Sequence, residues 1–362
     1  MSVVEPQATR TPGAARTAQA FEDWMRAELQ VVEARLEAWV PAETPAGLGE
    51  AMRYGVLDGG KRLRPLLVLA ASEATHGVRE AALRAAVSVE LIHAYSLIHD
   101  DMPCMDNDVL RRGKPTVHVR YGQAQAMLAG DAMQALAFEV LTPQAGEGAV
   151  EPALQARLCG LLARSAGHAG MAGGQAIDLA SIGKPLDERA LRDMHRRKTG
   201  ALLQASVLMG AATGACSAPA WAALSDFGAA LGLAFQVVDD ILDVTQASST
   251  LGKTAGKDSD ANKPTYVTVL GLDEARRQAG SRRQRDQAEE VGVSGVGPVD
   301  DQLAGQREHR VVDADVEIVG AERQVGHRLG HQAERELARL LGLQRRVAAG
   351  RMEHQHRDRI AR

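Results

Sequence analysis

Apolar positions recur at helical spacing along most of the chain. Phe21, Trp24, Met25, Leu29, Val32, Leu36 and Trp39 mark one face of a helix that Pro41 closes. A second helix is predicted from near Pro45 through Leu48, Met52 and Tyr54, and a proline-led apolar helix over 66–70. Val87, Leu91, Tyr95 and Ile98 keep the same period up to Asp100, so a mostly buried helix runs straight into a cluster of carboxylates. The next helix holds Met133, Leu136, Phe138, Val140 and Leu141, with Asp131 read as a structural hydrogen-bonding acid. Another runs to about Ala172 and kinks at Gly173, Gly174 and Gln175; Asp187 caps the one that follows, through Leu191, Met194 and Lys198. A small-residue helix over 202–212 and a last one ending FQVVDDILDV at 235–244 complete the pattern. Alternating β-branched runs are scarce, which predicts an all-α fold.

The chemistry gathers where these helices end. Asp100, Asp101, Asp106 and Asp108 fall within nine residues, and Arg111, Arg112 and Lys114 follow at once. Two unit charges ~4 Å apart repel by about 4 kcal/mol at an effective dielectric near 20, so such a cluster beside an apolar wall needs a cation. Magnesium, a hard ion held by one or two carboxylates plus substrate phosphates, is the natural candidate. Pro103 takes the chain out of the helix, which lets Asp100 and Asp106 turn toward one site. The competing reading is a solvated acidic-then-basic loop; an EF-hand lacks its spacing and its closing Glu here.

Two further stretches fit a diphosphate. LDGGKRLRP at 57–65 sets flexible backbone beside Lys61, Arg62 and Arg64, an anion site or else a glycine-terminated helix with a basic end. His93 lies two turns before Asp100 on the same face, and Tyr95 sits ~7.5 Å below that acid, where it could floor a pocket. In the second acidic run, Gln236, Asp239 and Asp243 lie one turn apart, with Asp240 beside them. Acids in a last helical turn oppose the dipole, which favours a metal role. Lys198, Thr199 and Gly200 stand where two amphipathic segments meet, and 251–264, with Lys253, Lys257 and Lys263, reads as a loop able to close over phosphate.

Composition narrows the partners. The 362-residue chain has net charge −4 and 3% aromatics, without a basic stripe, which sets nucleic acid aside. Cys104, Cys159 and Cys216 are scattered and fit a reducing compartment. The first twenty residues read as a disordered segment with no apolar leader, and no integral membrane segment is expected, so a cytoplasmic protein is expected.

GGKRLRP, DDMPCMD followed by LRRGKP, KTG, and FQVVDDILD followed by LGK together resemble the trans-isoprenyl diphosphate synthases, most closely the bacterial short-chain farnesyl type. The resemblance covers about 21–276 and implies an all-α isoprenoid-synthase bundle around a central cavity, usually a homodimer. It implies condensation of isopentenyl diphosphate with an allylic diphosphate by ionisation, condensation and elimination. Three magnesium ions are implied, two chiefly on Asp100 and Asp106 and one on Asp239, supported by Asp101, Asp240 and Asp243. Carried over by position, Lys61, Arg64, His93 and Arg112 would hold isopentenyl diphosphate, and Arg111 and Lys253 the allylic diphosphate. Lys198, Thr199 and Gln236 would stand near the allylic carbon. Tyr95 as floor, with Pro103 and Cys104 lengthening the first motif, implies a fifteen-carbon stop; a geranylgeranyl synthase shares the PCMDND run with a smaller residue at the floor.

After Arg276 the resemblance ends. Residues 277–362 contain no lysine and no aromatic, and only 334–347 carries a helical pattern. A reading-frame change near Arg276 is the expectation, with a genuine extension as the other reading and an inactive paralogue as an alternative function; the tail histidines His327, His331, His354 and His356 are not read as a site. A terpene cyclase would lack the basic stretch at 57–65, and a noncatalytic partner subunit would have lost one aspartate motif.

Overall fold

The computed structural model describes residues 12–57, 59–144, 146, 148, 150–184, 186–245 and 265–275, with side chains from 19 onward except Leu242 and Asp243. Lys253, Lys257, Lys263, the 334–347 pattern and the tail histidines lie outside the described residues. Two compact units are delimited, and the one spanning 23–279 carries every described motif.

Helices dominate the described residues: α1 (Pro12–Trp39), α2 (Leu48–Val56), α3 (Leu63–Ala74), α4 (Arg79–Asp100), α5 (Val117–Tyr121), α6 (Gln123–Leu141), α7 (Pro152–Ala166), α8 (Met171–Ala180), α9 (Glu188–His195), α10 (Ala201–Ala212), α11 (Ala218–Thr245) and α12 (Tyr266–Leu270). The all-α expectation holds, and a two-stranded hairpin, β1 (Leu110–Arg111) with β2 (Lys114–Pro115), is its one small exception among the described residues. Helix α1 begins at Pro12, so part of the segment whose composition suggested disorder is helical. The periodicity placed α2 and α3 well, and Asp187 caps α9 by accepting from Ala190 N at 2.7 Å.

The core forms around α4, which packs against α3, α6 and α10. Nearly every residue of α4 from Ala81 to Ile92 is buried, because apolar residues surround the helix rather than marking one stripe. Leu67, Leu69, Leu91, Ile92, Met133 and Leu162 are fully enclosed. Truncating one to Ala would remove about 2–5 kcal/mol. Two windows, Arg79–Asp100 and Ala218–Ile241, are long and apolar enough to cross a membrane by length and composition. The first is 83% buried within the bundle, which accounts for its apolarity; 22% of the second is buried. Asp131 on α6 is exposed.

Candidate active site

Helix α4 delivers Asp100 at its end, and the chain then folds back on itself. Asp106 N donates to Asp100 O at 2.8 Å, Asn107 N to Met102 O at 3.0 Å and Asp108 N to Asp101 O at 3.1 Å. This is the exit anticipated at Pro103, and it brings the Asp100 and Asp106 side chains close enough to repel. Burial, with Asp106 and Asp101 adding to it and Lys198 opposing, pushes the Asp100 carboxyl up to about 6. The adjacent Asp101 is buried and turned away, accepting from Arg111 Nη2 at 2.6 Å and from Arg111 Nε at 2.8 Å. Arg111 reaches it because Arg112 and Gly113 both take positive φ, 53° and 79°, in the tight turn between β1 and β2. Tyr54 Oη anchors that hairpin by donating to Pro115 O at 2.7 Å.

The same hairpin carries Arg112 over the glycine-rich stretch, where its guanidinium donates to Gly59 O. Arg64 at the start of α3 has a buried Nε with no hydrogen-bond partner. Between them, His93 is held neutral: burial first, then the charges of Arg64, Arg112, Arg111 and Arg62, lower its pKa well below the usual value. Guanidinium groups gathered around an imidazole are a donor set that suits an anion. Arg62 serves a different purpose. It is buried at the N-cap of α3, bonded to Glu33 at 2.7 and 3.1 Å, to Glu90 at 2.7 Å and to Val56 O at 2.7 Å. Lys61 beside it is exposed.

Lys198 and Thr199 lie in a π-helical turn, Arg196–Gly200, that joins α9 to α10. Such wide turns displace side chains from their regular helical direction. Two glycines let neighbouring helices close on this turn. A Cβ on Gly174 of α8 would stand 2.2 Å from Lys198 N, and one on Gly232 of α11 would stand 2.6 Å from Gly200 Cα. Lys198 Nζ pairs with Asp178 Oδ2 at 2.6 Å. Burial would lower the Lys198 pKa, but Asp178, Asp100 and Asp106 together outweigh it and raise it. Thr199 Oγ1 donates to Gln236 Oε1 at 2.9 Å, and Gln236 Nε2 donates to Asp240 Oδ1 at 2.7 Å.

The structure thus joins Asp100, Asp106 and Lys198 at one place, links Thr199, Gln236 and Asp240 in one chain of hydrogen bonds, and gathers Arg64, His93, Arg111 and Arg112 in a basic cluster. Asp239 is exposed on α11, Tyr95 is buried with its ring edge-on to His99 at 5.7 Å, and the Asp243 side chain and Lys253 lie outside the described residues. Sequence reasoning did not assign Asp178 to the site. Its signal was a carboxylate inside the otherwise apolar MAGGQAIDLA helix, one turn after Gln175, whose buried amide atoms find no partner.

Oxygen donors in repelling pairs fit a hard divalent cation. Among the described residues no three His, Cys, Asp or Glu side chains converge into a closed cage.

Residues 45–292, more than half of the chain, match the family model described as polyprenyl synthetase. The chain belongs to this family. The synthetase is 46% identical over 272 residues to the large subunit 1 of a heterodimeric geranylgeranyl pyrophosphate synthase, chloroplastic, of Arabidopsis thaliana, covering 74% of this chain and 73% of that one. It is 45% identical over 261 residues to a chloroplastic geranylgeranyl pyrophosphate synthase of Catharanthus roseus, covering 72% of each. Among solved structures it resembles an FPP/GFPP synthase from Zymomonas mobilis, with TM-score 0.66 and 41% identity, covering 76% of this chain and 93% of that one. A geranyltransferase from Helicobacter pylori, complexed with magnesium and isoprenyl diphosphate, gives TM-score 0.67 and 33% identity, covering 80% and 94%. The protein is therefore a prenyl diphosphate synthase, an enzyme of the prenyltransferase class with the all-α fold of its relatives.

Proposed function

We propose that this polyprenyl synthetase condenses isopentenyl diphosphate with an allylic diphosphate on the two charge clusters of its 23–279 unit. The observation that carries the reading is their division of labour: Asp100 and Asp106 meet Lys198, while Arg64, Arg111 and Arg112 surround a neutral His93. Isopentenyl diphosphate fits the basic cluster, with Lys61, Arg64, His93 and Arg112 as its donors. Asp100, Asp106 and Asp239 would hold magnesium, which neutralises the allylic diphosphate and makes it a better leaving group.

The rest of the chemistry is carried by side chains already positioned. Lys198, tethered by Asp178, adds a fixed positive charge where negative charge develops as the allylic carbon–oxygen bond breaks and its electron pair leaves with diphosphate. Thr199 and Gln236 offer oxygen dipoles to the resulting carbocation. The isopentenyl double bond then forms the new carbon–carbon bond, and the proton lost from the condensed chain passes to the departing diphosphate. Arg111 supports this step through Asp101, which its fork holds in a bidentate pair beside Asp100. A role for Lys253 and Asp243 at the same site is part of the proposal.

Two observations bear on product length. The curated relatives at 45–46% identity are geranylgeranyl synthases, which supports a twenty-carbon product for this chain. The bulk of Tyr95, buried near the end of α4 below Asp100, supports a fifteen-carbon stop. Incubating purified protein and its Tyr95→Ala variant with magnesium, labelled isopentenyl diphosphate and geranyl diphosphate, then separating products by length, decides between them. A wild-type fifteen-carbon product that lengthens in Tyr95→Ala makes Tyr95 the floor; a twenty-carbon product from both removes that role. No condensed product from folded protein would sink the whole reading.

The assembly proposed is a homodimer. Val119, Met127 and Leu128 on α5 and α6 are 49%, 40% and 52% exposed, an apolar face suited to a second copy. The chloroplastic relatives weigh toward a plastid and against the cytoplasmic expectation; fractionation of source cells tests it.

A further inference from the structure

Adjacent acids on α11 face different surroundings. Asp239 is exposed, whereas Asp240 is buried at 3% exposure, as a step of one residue around a helix requires. Each Asp240 oxygen meets a protein donor: Oδ1 accepts from Gln236 Nε2 at 2.7 Å, and Oδ2 accepts from the backbone N–H of Tyr266 at 2.7 Å. Tyr266 is itself held in place, its ring stacked on His195 with centroids 5.3 Å apart, and His195 Nε2 stands 3.9 Å from Asp240 Oδ2. The chain of bonds runs on from Gln236 to Thr199.

The direction of every proton in this chain follows from its end. A carboxylate only accepts, so Gln236 must turn its NH2 toward Asp240. That leaves Gln236 Oε1 facing Thr199, and an amide oxygen also only accepts, so the Thr199 hydroxyl must donate. With its one proton committed to Gln236, Thr199 has nothing but lone pairs for any other neighbour. We infer that Asp240 is a positioning residue which, through Gln236, fixes the Thr199 hydroxyl so that its lone pairs face the reacting allylic carbon. The inference rests on the proposed reading of the site and deepens it: the electron-rich end of the threonine dipole is locked in place before the carbocation forms, without reorganisation at the moment of reaction. The role differs from the supporting part in metal binding that the aspartate motif suggests for Asp240.

Asp240→Asn is the informative variant because it keeps shape and reverses polarity. Its Oδ1 must still accept from Tyr266 N–H, so its Nδ2 faces Gln236. Gln236 then turns over, offers Nε2 to Thr199, and frees the threonine proton to point away from Gln236. The probe is a pair of ligands, an allylic analogue with an ammonium at the reacting position and its neutral carbon isostere. Each is titrated by calorimetry in the presence of magnesium and inorganic diphosphate, so no turnover is needed. Wild type should prefer the ammonium analogue, and Asp240→Asn should lose roughly tenfold of that preference while binding the neutral isostere within about threefold of wild type. Thr199→Val, half-buried at the far end of the chain, should lose the same preference, and the double variant should lose no more than either alone.

Equal weakening of both analogues in Asp240→Asn, with a raised magnesium requirement, would make Asp240 a metal-supporting residue and overturn the inference. Retention of the ammonium preference in Thr199→Val would overturn it as well, and this variant serves if Asp240→Asn fails to fold. Failure of the wild type to bind either analogue would remove the functional reading, and the inference with it.

Discussion

Asp100 and Arg62 show how burial sets the task of a single charged residue. The Asp100 carboxyl, pushed by burial up to about 6, lies above its ordinary value of 3.8, so the folded protein without metal holds this proton more tightly than the unfolded chain does. Its contribution to stability is therefore present at low pH and is lost as pH rises from about 4 through about 6. Magnesium requires the ionised form. Thermal stabilisation by magnesium with inorganic diphosphate should be full near pH 8 and shrink below about pH 6, and Asp100→Asn should lessen this dependence, leaving the part due to protonation of the diphosphate itself, as melting curves across that range will show. Arg62 and Lys61 are neighbours with opposite expected outcomes. Arg62→Met strands the buried Glu90, whose side chain is 4% exposed, and should cost about 3–5 kcal/mol in denaturant unfolding. Lys61→Ala should leave stability within about 0.5 kcal/mol while raising KM for isopentenyl diphosphate several-fold. Residue types were legible: the carboxylates and bases of both motifs can be read directly from the chain. Which of two adjacent charges faces inward was not, because Arg62 and Arg111 find their partners, Glu33, Glu90 and Asp101, only through tertiary folding.

Among the elements, the π turn at Arg196–Gly200 decides where Lys198 and Thr199, the groups proposed for catalysis, stand, and two glycines decide where the turn stands. Gly232→Ala would drive a methyl group against the Gly200 backbone, and Gly174→Ala would do the same at Lys198 N. Each should cost about 1–3 kcal/mol and lower kcat by tenfold or more. A control such as Ala176→Ser, exposed on the same α8, should do neither. The existence of α1 was readable from its apolar period, and the exit after α4 from Pro103. The π turn and the β1–β2 hairpin were not. A π turn changes the period for only a few residues, and a four-residue hairpin has no room to alternate; KTG and LRRGKP therefore read as charges without a geometry.

At the scale of the molecule, the proposed homodimer would draw on Val119, Met127 and Leu128, exposed apolar residues of α5 and α6. Leu128→Glu should convert a dimer to a monomer in light scattering, with little change in the melting of the isolated 23–279 fold. The reading-frame change expected near Arg276 concerns residues outside the described structure, and sequencing the gene across 272–283 tests it. The central claim, that this chain joins two diphosphates, is tested most directly by a single-turnover experiment with purified full-length protein. Magnesium, geranyl diphosphate and labelled isopentenyl diphosphate are mixed, and condensed product and inorganic diphosphate are measured together. The account predicts one diphosphate released per carbon–carbon bond formed, abolished by omitting either substrate or magnesium and reduced by about a thousandfold in Asp100→Asn. Diphosphate released at the same rate without isopentenyl diphosphate, or no product from folded protein, would contradict it.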